Sequence, residues 1–236
     1  MVSPPTKPNA AGRRLPSLIG RRRVSSLAAT LFSIVAIALL AGCDDAAKWR
    51  STVISGSSPP LEFSMTRASD GKPVTEADYR GQVVMLYFGY TFCPDVCPTT
   101  LSNVSRILDR LGPEARQVRV LFVTVDPNRD TLPVLKDYVK NFAPEIEGLR
   151  GAPDQLAALA RRYRVVYSVT PETKDQPYEV THSSAIYVFD KSGAARLLVS
   201  PLIDSNVDIA GVAADLARLI QDKNQPGLLA GLWRLI

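Results

Sequence analysis

The sequence predicts an α/β domain in which a mixed central sheet is flanked by helices. Two apolar runs, residues 82–90 and 118–126, have the nearly unbroken hydrophobicity of buried central strands. Between them, apolar side chains recur at helical spacing at Leu101, Val104, Leu108 and Leu111. Because two parallel strands need a crossover connection, residues 82–126 are predicted to form one β-α-β unit.

The other predicted elements follow from shorter patterns. The Gly112-Pro113 pair ends the first helix, because glycine and proline are typical of helix ends. A turn at residues 191–193 joins two apolar runs as an antiparallel hairpin, which makes the sheet mixed. In chain order, the predictions are a strand at 61–66, a turn at 70–73, helices near 131–142, 153–163 and 206–222, and hairpin strands at 184–190 and 195–200.

The first 43 residues have the pattern of an export signal. A basic cluster, Arg21-Arg22-Arg23, precedes an uncharged stretch with an apolar centre about the length of a signal-peptide core. The stretch ends in Leu40-Ala41-Gly42-Cys43, which resembles the lipobox of bacterial lipoproteins, where the cysteine is lipidated after cleavage. Asp44, which follows, resembles an inner-membrane retention signal.

Two forms of membrane attachment fit this segment. The first is a lipid on Cys43, and the alternative is an uncleaved anchor helix, because about twenty residues can span a bilayer. Both predict a domain in the bacterial cell envelope, tethered at the periplasmic face of the inner membrane.

The formal net charge of +5 does not indicate a nucleic-acid partner. Residues 1–42 contain six basic residues and no Asp or Glu, so the remaining chain has 22 basic against 23 acidic residues. Binding to nucleic acid depends on a surface with an excess of Lys and Arg, and a nearly neutral domain does not predict one. Nucleic acid is therefore not expected among the partners.

Composition divides the rest of the chain into three parts. Residues 44–60 are rich in Ser, Gly and Pro, which predicts a flexible spacer between membrane and domain. Residues 61–222 carry the α/β pattern and form the predicted domain. Residues 223–236 are an apolar C-terminal extension to which the sequence assigns no role.

Two cysteines, Cys93 and Cys97, directly follow the first predicted buried strand. Proline suits the first position of a helix, so Pro98 predicts Cys97 as the helix cap and Cys93 in the preceding loop. The positive end of a helix favours thiolates, which suit nucleophilic attack or metal binding. Residues four apart in a regular helix are about 5–6 Å apart at Cβ, whereas a disulfide needs about 3.5–4.5 Å. A loop here could serve both a disulfide and a metal, and a pair of merely structural thiols is the alternative.

His182 is the one histidine of the sequence, and it stands at the start of a later predicted strand. We expect the loop that enters this strand to lie beside the carboxyl end of the first buried strand, where the cysteines are. Two sulfurs and one imidazole suit Cu(I), and the imidazole also accommodates Cu(II). Zinc is a competing assignment, because two cysteines and one histidine with an open position also form some catalytic zinc sites.

Three separate segments resemble one known family. They are "YFGYTFCPDVCPTTL", "VTVDPNRDT" and "THSSAIYVFD", in the order and spacing of the SCO/SenC family of copper-binding, thioredoxin-like proteins that help build cytochrome c oxidase. The resemblance covers about residues 61–222. It implies a thioredoxin-like fold and copper ligation by Cys93, Cys97 and His182. It also implies either delivery of copper to the dinuclear copper centre of the oxidase or reduction of cysteines there.

Two further positions follow from this resemblance. Asp126 corresponds to a recurrent acidic position of the family, which implies support of the metal ligands or recognition of a partner; a turn residue at a strand end is the alternative. Phe92 stands where many members have a histidine directly before the first motif cysteine. Because the family's ligand histidine matches His182, copper ligation is expected to survive this difference.

Together, the motifs and the resemblance predict a membrane-tethered copper chaperone. Its expected partners are the copper-centre subunit of cytochrome c oxidase and another periplasmic copper donor or thiol reductant. Oxidation would join Cys93 to Cys97 as a disulfide and prevent copper binding, so the pair links redox state to metal loading. Two other classes remain open: a thiol–disulfide reductase that uses the same cysteines, and a signalling protein that senses copper or redox state.

Overall fold

The computed structural model describes residues 49–204 and 206–222 of the chain. The predicted signal segment 1–43, with Cys43, and the predicted extension 223–236 lie outside these residues. In the part that is described, no helix is both long enough and apolar enough to span a membrane.

Within the described residues, eight strands form one sheet and two form a separate hairpin. The strands are β1 (Thr52–Val53), β2 (Ser64–Arg67), β3 (Pro73–Thr75), β4 (Val83–Gly89), β5 (Val118–Thr124), β6 (Ile146–Arg150), β7 (Tyr167–Thr170), β8 (Glu179–His182), β9 (Ile186–Phe189) and β10 (Ala195–Val199). The order in the large sheet is β1-β10-β9-β4-β5-β6-β2-β3, and β7 pairs with β8. Strands β4, β5 and β6 run parallel, whereas the other neighbouring pairs are antiparallel. The predicted mixed sheet is therefore confirmed.

Four α-helices of the described chain cover this sheet. They are α1 (Val96–Leu111), α2 (Leu132–Val139), α3 (Pro153–Arg162) and α4 (Ile209–Gln221). Short 3-10 helices span Glu76–Tyr79 and Gly112–Gln117. As predicted, α1 ends before Gly112, which has a left-handed φ of 57° that glycine adopts without the steric cost of a side chain. The β4-α1-β5 segment is thus the predicted β-α-β unit.

Alternate side chains of β4 supply a core on each face of the sheet. Val83 and Met85 belong to a buried cluster with residues of α1, α2 and α4. Val84 and Leu86 belong to a second cluster, which includes residues of α3. All seven residues of β4 are buried, which explains why this strand is a continuous apolar run in the sequence.

The predicted spacer, residues 44–60, contacts the domain where it is described. It contains β1, which pairs with β10 at the edge of the sheet. The buried carboxylate of Asp215 in α4 also accepts hydrogen bonds from the backbone amides of Arg50, at 3.1 Å, and Ser51, at 2.8 Å. Trp49 and Ile54 add apolar contacts with the two core clusters, but two isolated apolar residues form no pattern from which the sequence could have indicated this attachment.

Candidate metal centre

Cys93 and Cys97 lie at the carboxyl end of β4, where the chain leaves the sheet and enters α1. Cys93 is partly exposed and Cys97 is buried. The prediction that Cys97 caps the helix was wrong, because α1 begins at Val96, with Asp95 in the cap position. Pro98 fits the first turn because the first four amides of a helix have no intrahelical partner. The Cys97 amide is one of these, and it donates to Cys93 Sγ at 3.4 Å.

Gly89, the last residue of β4, leaves room for the buried sulfur. A Cβ atom at this position would lie 3.0 Å from Cys97 Sγ and 2.5 Å from Cε2 of the Phe122 ring. Both distances are shorter than ordinary van der Waals contacts, so a side chain here would displace the sulfur or the ring. The glycine therefore allows the start of α1 to pack closely against β4.

His182 is the last residue of β8, and its ring lies beside the cysteine pair. Its Nε2 atom is 3.4 Å from Cys97 Sγ. Its Nδ1 atom is 3.0 Å from the carbonyl oxygen of Ser183. Because a carbonyl can only accept, Nδ1 carries the proton in the neutral ring, and Nε2 presents its lone pair to the sulfurs. The rings of Tyr87 and Tyr90 meet the imidazole edge-on, at centroid distances of 6.2 and 5.8 Å.

The order of the strands explains how the histidine reaches the cysteines. Strand β9 pairs antiparallel with β4, so the chain that enters β9 arrives at the carboxyl end of β4. His182 lies in that entering segment, 85 positions after Cys97. The predicted proximity of His182 to the thiols is therefore present in the structure.

The three side chains have the geometry of a single metal site. One ligand atom from each of Cys93, Cys97 and His182 lies within 4.8 Å of the other two. Atoms bound to one ion at about 2.0–2.3 Å are about 3.7–4.0 Å apart when the bond angles are near 120°. The donors therefore fit one ion after small side-chain adjustments. Among the described residues this group has three members, whereas a structural zinc site normally has four ligands.

The two thiols differ in acidity when no metal is bound. A hydrogen bond from the Cys97 thiol lowers the pKa of Cys93 to about 4, and backbone amides at the start of α1 act in the same direction. The same interaction, together with burial, raises the pKa of Cys97 above its ordinary value. Cys93 is therefore a thiolate at neutral pH, while Cys97 retains its proton.

This difference predicts how the thiols react with iodoacetamide in the reduced, metal-free chain. Because thiolate is the reactive form, an ordinary cysteine with a pKa near 8.5 loses about 75-fold in rate between pH 8 and pH 6. Cys93 has a lowered pKa, so its reactivity persists as the pH falls and is lost only near pH 4. We expect its rate to change less than about two-fold between pH 8 and pH 6, as measured by mass spectrometry of the peptide that contains it.

Two variants show whether the Cys97 thiol causes the lowered pKa of Cys93 and hence its reactivity at pH 6. In Cys97→Ala the donor to the Cys93 sulfur is absent, so the rate at pH 6 should fall. In Cys97→Ser a hydroxyl can still donate, so most of the rate should remain. Equal, strongly pH-dependent rates in all three chains would contradict the lowered pKa.

Asp126 lies two residues after β5, and its side chain is fully buried. Its carboxylate accepts a hydrogen bond from the Tyr178 hydroxyl at 2.7 Å and pairs with Arg129 Nε at 2.5 Å. Tyr178 directly precedes β8, so Asp126 contacts the hairpin that ends in His182. Asp126 was predicted from its motif, whereas Arg129 and Tyr178 were not, because neither has a spacing that indicates a contact with Asp126.

A second buried carboxylate, that of Asp130, holds the cysteine loop and was also missed. It accepts hydrogen bonds from the backbone amide of Thr91 at 3.0 Å, from the Thr91 hydroxyl at 2.6 Å and from the Thr124 hydroxyl at 2.5 Å. Burial raises the pKa of Asp130. Thr91 stands two residues before Cys93 and Thr124 ends β5, so Asp130 joins the cysteine loop to the neighbouring strand.

Comparison with known sequences identifies similar proteins. The sequence model of the SCO1/SenC family matches residues 59–221. The mitochondrial SCO2 homolog of Bos taurus is 45% identical over 125 residues, which are 52% of this chain and 47% of that protein. The mitochondrial SCO1 homolog of Mus musculus is 39% identical over 133 residues, which are 56% of this chain and 46% of that protein. The chain spans about half the length of these relatives.

Solved structures with the same architecture include two that contain copper. ScoI from Bradyrhizobium japonicum with copper bound is 39% identical, with a TM-score of 0.59 over 68% of this chain and 98% of that chain. Yeast Sco1 with copper bound is 29% identical, with a TM-score of 0.64 over 73% of this chain and 94% of that chain. The thioredoxin-like fold that the sequence implied is confirmed by these likenesses.

Proposed function

The chain belongs to the SCO1/SenC family, and we propose that it is a copper-binding protein that takes part in the assembly of cytochrome c oxidase. The observation that carries this proposal is the convergence of Cys93, Cys97 and His182, which we propose as the copper ligands. Two thiolates and an imidazole suit copper in either oxidation state. The copper in the similar proteins from B. japonicum and yeast supports copper over zinc.

In this proposal copper is a cargo that the reduced protein holds. Cys93 is already a thiolate at neutral pH, and Cys97 loses its proton to solvent on binding, because the cation stabilises the second thiolate. His182 offers Nε2, since its Nδ1 donates to the Ser183 carbonyl. The protein thus needs to give up one proton at neutral pH, which makes copper binding pH-dependent.

Release of the cargo is expected to begin at Cys93. This sulfur is partly exposed, and the neighbouring Phe92 is 55% exposed, whereas Cys97 is buried. Thiolates of an acceptor can therefore replace Cys93 first, and copper passes to them without becoming a free ion. We propose the copper-centre subunit of cytochrome c oxidase as this acceptor, with another periplasmic copper donor or thiol reductant acting before it.

Oxidation of the cysteine pair would prevent loading. Formation of one bond between the sulfurs of Cys93 and Cys97 removes two electrons and two protons from the thiols. The disulfide of a partner protein accepts them and becomes two thiols. A loaded protein is thus always a reduced one, and the redox state of the pair controls how much copper the protein carries.

We further propose that Cys43 bears a lipid and holds the domain at the periplasmic face of the inner membrane. The support is the lipobox-like sequence that ends at Cys43, after a basic and then apolar segment. Asp126 is proposed to support the ligands from outside the coordination sphere, through its hydrogen bond with Tyr178.

The direct test is transfer of copper to a soluble copper-centre domain of cytochrome c oxidase. The full chain, reduced and loaded with Cu(I), is expected to pass its copper to the reduced acceptor, as followed by the absorption and EPR of the dinuclear centre after oxidation. The same chain in its disulfide form serves as the control, because it should carry no copper. An acceptor that takes copper from a Cu(I) chelate but never from the loaded chain would contradict the proposal.

The lowered pKa of Cys93 favours a second candidate function, reduction of a disulfide in the same partner. A partly exposed thiolate can attack a disulfide, and Cys97 lies close enough to complete the exchange. Such a reductase needs no imidazole, so His182→Ala should retain reduction of the oxidised copper-centre domain. If the reduced parent chain failed to reduce the oxidised copper-centre domain, this second function would be excluded.

A further inference from the structure

The position of His182 depends on a hairpin that is not part of the large sheet. Strands β7 and β8 pair with each other and with no other described strand. Tyr167 and Val180 of the hairpin pack against the core, but apolar contacts are not directional and do not define a single position. Strand order brings His182 to the cysteine loop, and the polar contacts of the hairpin can fix the position that the apolar contacts leave open.

One guanidinium group, that of Arg129, contacts both the hairpin and the cysteine loop. Its Cζ atom lies 3.8 Å from the centroid of the Tyr178 ring and 4.7 Å from that of Phe92. A guanidinium stacks on aromatic faces and is attracted to them within about 6 Å. Tyr178 stands four residues before His182, and Phe92 directly precedes Cys93. Arg129 therefore bridges the two segments that carry the proposed ligands.

Asp126 fixes the position of this guanidinium. One oxygen of its buried carboxylate pairs with Arg129 Nε, and the other accepts the Tyr178 hydroxyl. A buried carboxylate is costly unless it is paired and hydrogen-bonded, so both contacts are strongly favoured. Because Asp126 follows β5 by two residues, this arginine cluster (Arg129, Asp126, Tyr178 and Phe92) attaches the hairpin to the central sheet.

We propose that Arg129 is a positioning residue that holds His182 within reach of the two sulfurs. This inference rests on the proposed function, in which His182 is a copper ligand. The cysteine loop has separate support from Asp130, which bonds to Thr91, so the loop keeps an anchor of its own when the hairpin moves. Loss of Arg129 should therefore weaken the part of copper binding that passes through His182.

The test is a double-mutant cycle on the full chain with Cu(II), the ion for which the imidazole matters more. Arg129→Gln is expected to weaken Cu(II) binding about 10-fold, at the lower end of the about 10–100-fold effects of residues that orient metal ligands. In a His182→Ala background the same change should cost less than about two-fold, because the proposed effect acts through the imidazole that this background lacks. Tyr178→Phe, which keeps the ring on Arg129 but loses the hydrogen bond to Asp126, should give a smaller loss than Arg129→Gln.

A matched control is available near the start of β5, the strand that ends five residues before Arg129. Arg119 lies near the start of β5, its side chain is 22% exposed against 31% for Arg129, and it also pairs with a carboxylate, that of Glu147. Arg119→Gln should therefore leave Cu(II) affinity unchanged within about two-fold.

Two spectroscopic readouts separate positioning from a general loss of stability. In the metal-free chain, amides of β7 and β8 should exchange with solvent at least about five-fold faster in Arg129→Gln, while those of β4 and β5 keep their rates. In the Cu(II)-loaded variant, EPR should show weaker nitrogen hyperfine coupling than in the parent chain.

The possible failures can be told apart. Unchanged Cu(II) affinity in Arg129→Gln, or an equal loss with and without His182, would overturn the positioning role and leave the ligand set intact. If His182→Ala alone had no effect on Cu(II) affinity, the ligand set of the proposed function would fail, and the positioning role would fail with it.

Discussion

Replacement of Cys97 by serine is expected to reduce the affinity for Cu(I) by more than about 100-fold, since even residues outside the coordination sphere contribute about 10–100-fold. Cu(I) is a soft ion that prefers thiolate sulfur, and a serine hydroxyl is a hard donor that stays protonated. Cys93→Ser should cause a loss of the same order, because one sulfur and one imidazole remain in each variant. The measurement is anaerobic competition with a chromophoric Cu(I) chelator, carried out on the reduced full chain.

Cys43 provides the matched control for these two changes. It is the remaining one of the three cysteines and lies well before the predicted domain, so Cys43→Ser should bind one copper with the affinity of the parent chain. The ligand assignment would be wrong if either Cys93→Ser or Cys97→Ser still bound one copper with parental affinity. Loss of copper in Cys43→Ser would place a ligand outside the proposed site.

Replacement of His182 by alanine is expected to weaken the binding of Cu(II) much more than the binding of Cu(I). Cu(II) affinity should fall by about 100-fold or more, because Cu(II) depends on the imidazole nitrogen, whereas Cu(I) affinity should fall by about 10-fold or less, because two thiolates still hold the softer ion. The structure supports different losses for the two ions. His182 Nε2 faces Cys97 Sγ from the hairpin, whereas both sulfurs belong to the cysteine loop and the start of α1, so they can remain together without the imidazole. Chelator competition for each ion, with EPR of the Cu(II) form, gives both affinities.

Thr181→Ala is a suitable control for this variant, because Thr181 is exposed and its hydroxyl bonds only across the hairpin to Ser168 among the described contacts. It should bind both ions with parental affinity. Equal Cu(II) affinities in His182→Ala and the parent would refute the ligand role of His182. An equally large loss for Cu(I) would show that the imidazole is essential to both states, contrary to the prediction.

The central strands and the helices were predicted because their signals are local. Strands β4 and β5 are buried on both faces, so each is a continuous apolar run in the sequence. Helix α1 buries one face, so its apolar residues recur at helical spacing. The two cysteines follow β4 directly, which allowed their place at the end of a strand and the start of a helix to be predicted, although the first residue of the helix was not.

The marginal elements were not predicted, because their conformation depends on distant partners. Strand β1 has two residues and forms by pairing with β10, almost 150 residues later in the chain. Strand β6 contains charged residues, and β7 and β8 have four residues each with no fully buried side chain, so neither segment has the apolar run or the longer alternation that indicates a strand. The hairpin mattered most for the site, because it carries His182.

The amino-acid pattern alone specified the available chemistry: two thiols after a buried strand, one imidazole before a later strand, and an acidic residue in a recognisable motif. The folded arrangement set which of these groups meet. Strand order brings His182 to 3.4 Å from Cys97, and side-chain packing gathers Arg129, Asp126 and Tyr178 beside them. A local pattern reflects burial and backbone conformation within a few residues, whereas these contacts depend on which strands become neighbours across the whole chain.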